Sequence, residues 1–127
     1  MKRIVILLSS LLLLLTGCGG NTSDSSYEQI TQEAAKEMMD TQEVIILDVR
    51  EQDEYDSGHI PSAVLLPVGM IDEDTAAKVI PEKDSTVLVY CRSGNRSKTA
   101  SAALADLGYT NIYEFGGINT WPYDIKQ

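Results

Sequence analysis

Positive charge is scarce in this 127-residue chain: ten Lys and Arg stand against nineteen Asp and Glu, for a formal net charge of -9. That balance excludes nucleic acid as a partner, because a phosphate backbone is held by neutralising it. Histidine is scarcer still. His59 is the only one, so it is the one side chain whose ordinary titration range suits a base near neutral pH. Cysteine is limited to Cys18 and Cys91, which either pair with each other or stay single. The one long apolar run, Ile4 to Leu15, is too short for a comfortable membrane-spanning helix. No segment repeats another. The length that remains suits one small domain with a single core.

Lys2 and Arg3 precede that apolar run, and Leu15-Thr16-Gly17-Cys18 closes it. A basic start followed by a short apolar core is the layout of a secretory signal. The closing tetrapeptide resembles the bacterial lipobox, in which the cysteine thiol is acylated and the peptide is cut just before it. The resemblance implies a lipoprotein signal over 1–17 and an acylated Cys18. Gly19 to Ser26 carries no large apolar residue and reads as a flexible tether, so 18–26 links the lipid to a domain over 27–127. The protein is then expected outside the cytoplasm, held to the bacterial cell membrane by its lipid. Removing Lys2 and Arg3 leaves eight basic residues against nineteen acidic ones, and the formal charge falls from -9 to -11. An acidic body does not seek anionic lipid, so attachment falls to the acyl chains. With the Cys18 sulfur occupied, Cys91 is the one free thiol of the mature chain.

Cys91 sits in the most informative stretch. Val87-Leu88-Val89-Tyr90 reads as a buried strand, Cys91 ends it, and a short polar loop containing Gly94 follows. Ala100, Ala103, Leu104 and Leu107 then recur at helical spacing. A strand, a tight loop and a helix in that order form an anion-binding device, since loop amides and the positive end of the helix dipole converge on one point. A thiol placed there is expected to have its pKa lowered. Arg92, Arg96 and Lys98 gather around it in an otherwise acidic chain.

The remaining segments supply the frame. Tyr27 to Ile30 reads as a short edge strand. Thr31 is the expected N-cap of a helix whose apolar side is Ala34, Ala35, Met38 and Met39, with the methionines as core rather than as ligands. Val44 to Leu47 is continuously apolar, as in a parallel strand covered on both faces, and charge appears abruptly at Asp48-Val49-Arg50. Glu51 to Ser57 is expected to be a short helix stopped by a left-handed Gly58, with Arg50 and Glu54 paired four apart. Pro61 keeps Ile60 extended, Ala63 to Leu66 makes another strand, and Met70 to Ile80 an acidic helix. Gly108 ends the helix after Cys91, and Asn111 to Phe115 form a last strand before Gly116-Gly117 and Trp121. Strands alternating with helices predict an α/β fold with a small parallel sheet.

The segments Leu47-Asp48-Val49-Arg50-Glu51, Gly58-His59-Ile60-Pro61, Tyr90-Cys91-Arg92-Ser93-Gly94-Asn95-Arg96-Ser97 and Gly116-Gly117 with Trp121 together resemble the single-domain rhodanese family, in its order and spacing. The resemblance implies a rhodanese-like fold in which the active loop joins a central strand to the next helix. It also implies sulfurtransferase activity without a cofactor or metal. Cys91 takes a sulfane sulfur from a small anionic donor such as thiosulfate, holds it as a persulfide, and passes it to a thiol or cyanide-like acceptor. One departure is Ser62, where many members have Gly after the proline.

On that reading the amides of Arg92, Ser93, Gly94, Asn95, Arg96 and Ser97 hold the transferred sulfur. Arg92 is expected to contact substrate and Arg96 to brace the loop, onto Asp48. Asp48, Arg50 and His59 take supporting positions. A phosphatase also sets a cysteine and an arginine around an anion, but four residues separate Cys91 from Arg96, one fewer than in tyrosine phosphatases. A tighter ring suits one sulfur atom better than a tetrahedral oxyanion. The alternative that stays open is a non-enzymatic rhodanese-like module, tethered to the membrane to bind a partner or sense redox state.

Overall fold

The structure, a computed structural model, describes residues 26–127. The expected signal over 1–17, Cys18 and the tether as far as residue 25 lie outside the described residues. The elements in chain order are β1 (Glu28–Gln29), α1 (Gln32–Thr41), β2 (Ile45–Asp48), α2 (Gln52–Ser57), β3 (Val64–Leu65), α3 (Glu73–Val79), β4 (Thr86–Cys91), α4 (Asn95–Asp106) and β5 (Asn111–Gly117). The five strands run parallel in the order β1-β5-β4-β2-β3, so the strand bearing Cys91 is central.

Val87 to Cys91 is buried without a gap, as a central parallel strand covered on both faces must be. Successive side chains then divide between two layers. Val87, Val89 and Cys91 pack with Leu47, Val49 and Ile112 against Ala76 of α3 and Ala100 and Leu104 of α4. Leu88 and Tyr90 pack with Ile46, Phe115 and Trp121 against Ala35 of α1, and Met38 and Met39 join that layer as core. The result is the expected α/β fold, a small parallel sheet flanked by helices. The carboxyl ends of β2, β4 and β5 lie together at one end of the sheet, where open α/β sheets place their sites.

Thr31 caps α1 as expected, its hydroxyl accepting the Ala34 N–H at 3.0 Å. Three local expectations are corrected. The helix expected over 70–80 is a 3-10 turn at Val68–Met70 followed by α3, because Asp72 caps a new start and accepts the Thr75 N–H at 2.8 Å. Gly58 ends α2 at φ 157°, ψ 138°, not in the left-handed helical region. The helix after Cys91 starts at Asn95 under a left-handed Gly94, so Asn95, Arg96 and Ser97, expected to lend loop amides, already belong to the first turn of α4.

Candidate active site

Cys91 ends β4 where the ladder to β5 slips. Val89 lies opposite Glu114, but Cys91 lies opposite Gly117, so β5 carries one extra residue, a bulge of the kind that re-aims side chains beside sites. The bulge brings Gly117 against the start of the Cys91 loop. A Cβ at Gly117 would stand 1.9 Å from the Arg92 carbonyl oxygen, so only glycine fits there. The second glycine of the Gly116-Gly117 pair therefore has a steric cause.

Above the sulfur, the chain turns at Gly94 with φ 103°, a conformation that costs a residue without Cβ little. The turn aims the Gly94 N–H at Cys91 Sγ, 3.0 Å away. The Ser93 and Ser97 backbone N–H groups face the same atom. Since α4 begins one residue after Gly94, its unpaired first-turn amides and positive dipole end fall at the thiol too. Burial is the largest single influence on this thiol and opposes its ionisation. The Ser97 hydroxyl and the three backbone N–H groups together outweigh it, and the pKa lies below the ordinary thiol value. Cys91 is only 1% exposed, so the sulfur lies on the floor of the loop rather than at its rim.

Below the loop stands a residue the sequence reading did not single out. Glu114 on β5 is 3% exposed and Ser97 on α4 is fully buried. The Ser97 hydroxyl donates to Glu114 Oε1 at 2.7 Å and lies 3.3 Å from Cys91 Sγ. The same Oε1 accepts the Gly116 N–H at 2.9 Å, and Gln29 Nε2 reaches Oε2 at 3.4 Å. The signal was present in the period of the strand. Ile112 and Glu114 fall on one face, and a carboxylate sharing the inward face of a core strand is a polar group in need of an explanation.

The arginines are distributed differently from the expectation. Arg96 Nη1 and Nη2 bind Glu54 Oε1 and Oε2 at 2.6 and 3.0 Å, a bidentate clamp from α4 to α2. Arg96 thus braces the loop, but onto Glu54 and not onto Asp48. The Arg50–Glu54 pair does not form either. Arg50 turns onto Asp48, Nη2 to Oδ2 at 2.7 Å, and also donates to the Gly58 carbonyl at 2.7 Å. The Tyr90 hydroxyl donates to Asp48 Oδ2 at 2.7 Å and accepts the Ile60 N–H at 3.1 Å. Burial, with Asp48 beside it, pushes that phenol far up and keeps it a donor. Asp48 and Arg50 are therefore a buried weld between β2, β4 and the turn at 58–61.

His59 is committed locally: its ring stacks on Tyr55 with centroids 3.8 Å apart, and Nδ1–H donates to the Tyr55 carbonyl at 2.9 Å. Arg92, Ser93 and Asn95 are exposed. Arg92 makes no ion pair among the described residues and lines a depression beside the loop with Arg50, Glu54 and Asn119. No group of His, Cys, Asp and Glu among the described residues is placed to hold a metal ion.

Comparison with known proteins agrees with this geometry. Residues 31–122 match the family model of the rhodanese-like domain. The chain is 33% identical over 96 residues to a thiosulfate sulfurtransferase, GlpE, of Coxiella burnetii, covering 75% of this chain and 87% of that protein. It is 37% identical over 120 residues to a putative mitochondrial thiosulfate sulfurtransferase of Schizosaccharomyces pombe, covering 84% of this chain and 82% of that one. Among solved structures, a rhodanese-like domain from Anabaena superposes with a TM-score of 0.70 at 25% identity, covering 77% of each chain. A rhodanese with anions from E. coli superposes with a TM-score of 0.62 at 28% identity, covering 67% of this chain and 99% of that one. A cysteine under converging amides at the end of a central parallel strand, and a family match across nearly the whole described region, lead to one conclusion: the chain belongs to the rhodanese-like domain family and has sulfurtransferases among its relatives.

Proposed function

We propose that this protein is a sulfurtransferase that carries a sulfane sulfur on Cys91 as a persulfide. The Cys91 thiolate attacks the outer sulfur of a thiosulfate-like donor. A new S–S bond forms at Sγ, the donor's own S–S bond breaks, and sulfite leaves with the electron pair. The acceptor, a thiol or a cyanide-like nucleophile, then takes the outer sulfur and returns Cys91 as thiolate. The observation that carries this reading is the Gly94 N–H set 3.0 Å from Cys91 Sγ, with the Ser93 and Ser97 amides beside it. Donors fixed in advance around developing charge are worth about 3 kcal/mol each when removed elsewhere. Negative charge persists through donor, transition state and persulfide, so the same amides serve each stage. The exposed Arg92 suits an incoming anion, and a solved rhodanese from E. coli is described with anions.

Export as a lipoprotein belongs to the same reading, and its support is the sequence Leu15-Thr16-Gly17-Cys18 after a basic, apolar leader. The second reading, a binding or redox-sensing module, is favoured by one observation, the 1% exposure of Cys91. Thiosulfate and cyanide separate the two. Expected are thiocyanate from the wild-type chain, a one-sulfur mass gain on the Cys91 peptide after thiosulfate alone, and neither from Cys91→Ala. A wild-type chain that yields no thiocyanate and gains no sulfur is the module and not the enzyme.

A further inference from the structure

Glu114 is a buried carboxyl that the sulfur chemistry above leaves unused. The groups facing it are few. Ser97 approaches from α4 at 2.7 Å, Gln29 from β1 at 3.4 Å, and the Gly116 N–H from its own strand at 2.9 Å. From β4, Cys91 reaches it only through Ser97. Glu114 takes part in no salt bridge among the described residues. Arg96, the charged group whose field reaches Cys91, is itself clamped to Glu54. Among the described residues Cys91 is therefore the one titratable partner of Glu114, and a single hydroxyl stands between them.

A serine hydroxyl carries one hydrogen. Ser97 points it at Glu114 Oε1 at 2.7 Å, with the Gly116 carbonyl a longer alternative at 3.4 Å. Its lone pairs then face Cys91, and the thiol proton completes the chain at 3.3 Å. If Cys91 and Glu114 were both ionised, that hydrogen would serve only one of them. The other would keep only its remaining N–H donors, those of Ser93, Gly94 and Ser97 at Cys91 or of Gly116 and Gln29 at Glu114, and two like charges joined through one buried hydroxyl disfavour each other.

We propose that Cys91 and Glu114 share a single proton through the Ser97 hydroxyl, and that Glu114 takes up the thiol proton when Cys91 attacks a sulfur donor. The thiol proton passes to Ser97 Oγ while the Ser97 proton passes to Glu114 Oε1. Negative charge moves from carboxylate to sulfur, and the pair keeps one charge throughout. In the thiolate form Ser97 donates to Sγ and protonated Glu114 donates to Ser97. When the acceptor removes the outer sulfur, the electron pair of the broken S–S bond returns to Cys91 and the proton travels back. Ser97 touches the reacting atom and is catalytic in this scheme. Glu114 acts through it as a positioning residue. The sharing of the proton stands by itself, whereas its use during attack rests on the sulfurtransferase reading.

The test is the pH dependence of iodoacetamide alkylation on the full chain, read by mass on the Cys91 peptide so that Cys18 does not contribute. The wild type is expected to gain reactivity in two steps. The first reaches a partial plateau while one proton is shared, and the second reaches full reactivity when Glu114 also ionises. Glu114→Gln holds no exchangeable proton at that oxygen and is expected to lose the plateau, rising once to full reactivity below the upper wild-type midpoint. A single wild-type step that superimposes on that of Glu114→Gln overturns the proposal. Should Glu114→Gln not fold, carbon-13 NMR of the Glu114 carboxyl in the wild type gives the answer. Its shift is expected to move at both midpoints, and a carboxyl that titrates once, independently of Cys91, overturns the proposal equally. Neither readout needs turnover. Absent thiocyanate with a two-step profile sinks only the enzyme reading, and turnover with a one-step profile sinks only the shared proton.

Discussion

Ser62 stands at φ 71°, in the left-handed region, as the second corner of a turn closed by the Ala63 N–H on the Ile60 carbonyl at 3.0 Å. Pro61 at the first corner presets its own φ, and the turn type that follows demands positive φ at the next residue. An L side chain there costs roughly 1–2 kcal/mol, and glycine recovers that at the expense of about 0.5–1 kcal/mol of extra unfolded-chain freedom. Ser62→Gly is therefore expected to stabilise the domain by about 0.5–1 kcal/mol. The check is a higher urea midpoint with an unchanged slope. Ser62 lines a depression with Pro61, Trp121 and Tyr123 that no residue of the Cys91 loop enters, so the alkylation rate of Cys91 should not move. A destabilised variant would mean that the Ser62 side chain supplies something its backbone does not reveal.

Between elements, the joint that bears on the site is the clamp of Arg96 on α4 to Glu54 on α2. The Arg96 hydrogen bonds, with the Glu51 N–H at 3.1 Å, hold the Glu54 carboxyl down at about 2 from its ordinary 4.5. A carboxylate lowered on folding contributes fully above its unfolded value and is lost as pH falls through its folded one. Wild-type stability should thus decline between about pH 4.5 and about pH 2, and Glu54→Gln should lack that part of the decline. Urea unfolding of both chains across this window tests it. Parallel curves would show that the clamp contributes nothing to folding. The pair is partly exposed, 33% and 24% at its two side chains, so salt should shrink the difference.

The same joint shows where the sequence stopped being legible. Apolar runs located β2, β4 and the sheet class, because burial on both faces leaves a mark on every residue of a strand. Thr31 and Gly94 were legible because caps and tight turns are local chemistry. The partner of Arg96 was not, since Glu54 lies 42 positions away and helical spacing offered Arg50 the same carboxylate. Asp48 won Arg50 because a carboxylate with no solvent exposure needs a partner more than an exposed one does. Glu114 went unnoticed for a related reason. It shares a strand face with the apolar Ile112, but the groups that satisfy a carboxylate there, the Ser97 hydroxyl and the Gly116 N–H, are brought to it by the fold and not by the strand's own sequence.

Across the whole molecule, the parallel sheet separates the two ends of the proposed design. Ser26 and Tyr27 lie beside Thr110 and Asn111 at the start of β5, whereas Cys91 lies opposite Gly117 at its end. At about 3.3 Å per residue, those positions stand roughly 20 Å apart along the strand. On the lipoprotein reading proposed above, the tether joins the domain at one end of the sheet, and Cys91 sits at the other. On the same reading the mature body carries eight basic residues against nineteen acidic ones and adds no affinity for anionic lipid of its own. Cys18→Ser is thus expected to move the protein from the membrane fraction to the soluble one and to lose fatty-acid label, while thiocyanate production per molecule stays within about twofold, a change small beside the tenfold that about 1.4 kcal/mol represents. Label retained in Cys18→Ser removes the lipoprotein reading. A released chain whose turnover collapses means that the membrane supplies part of the site.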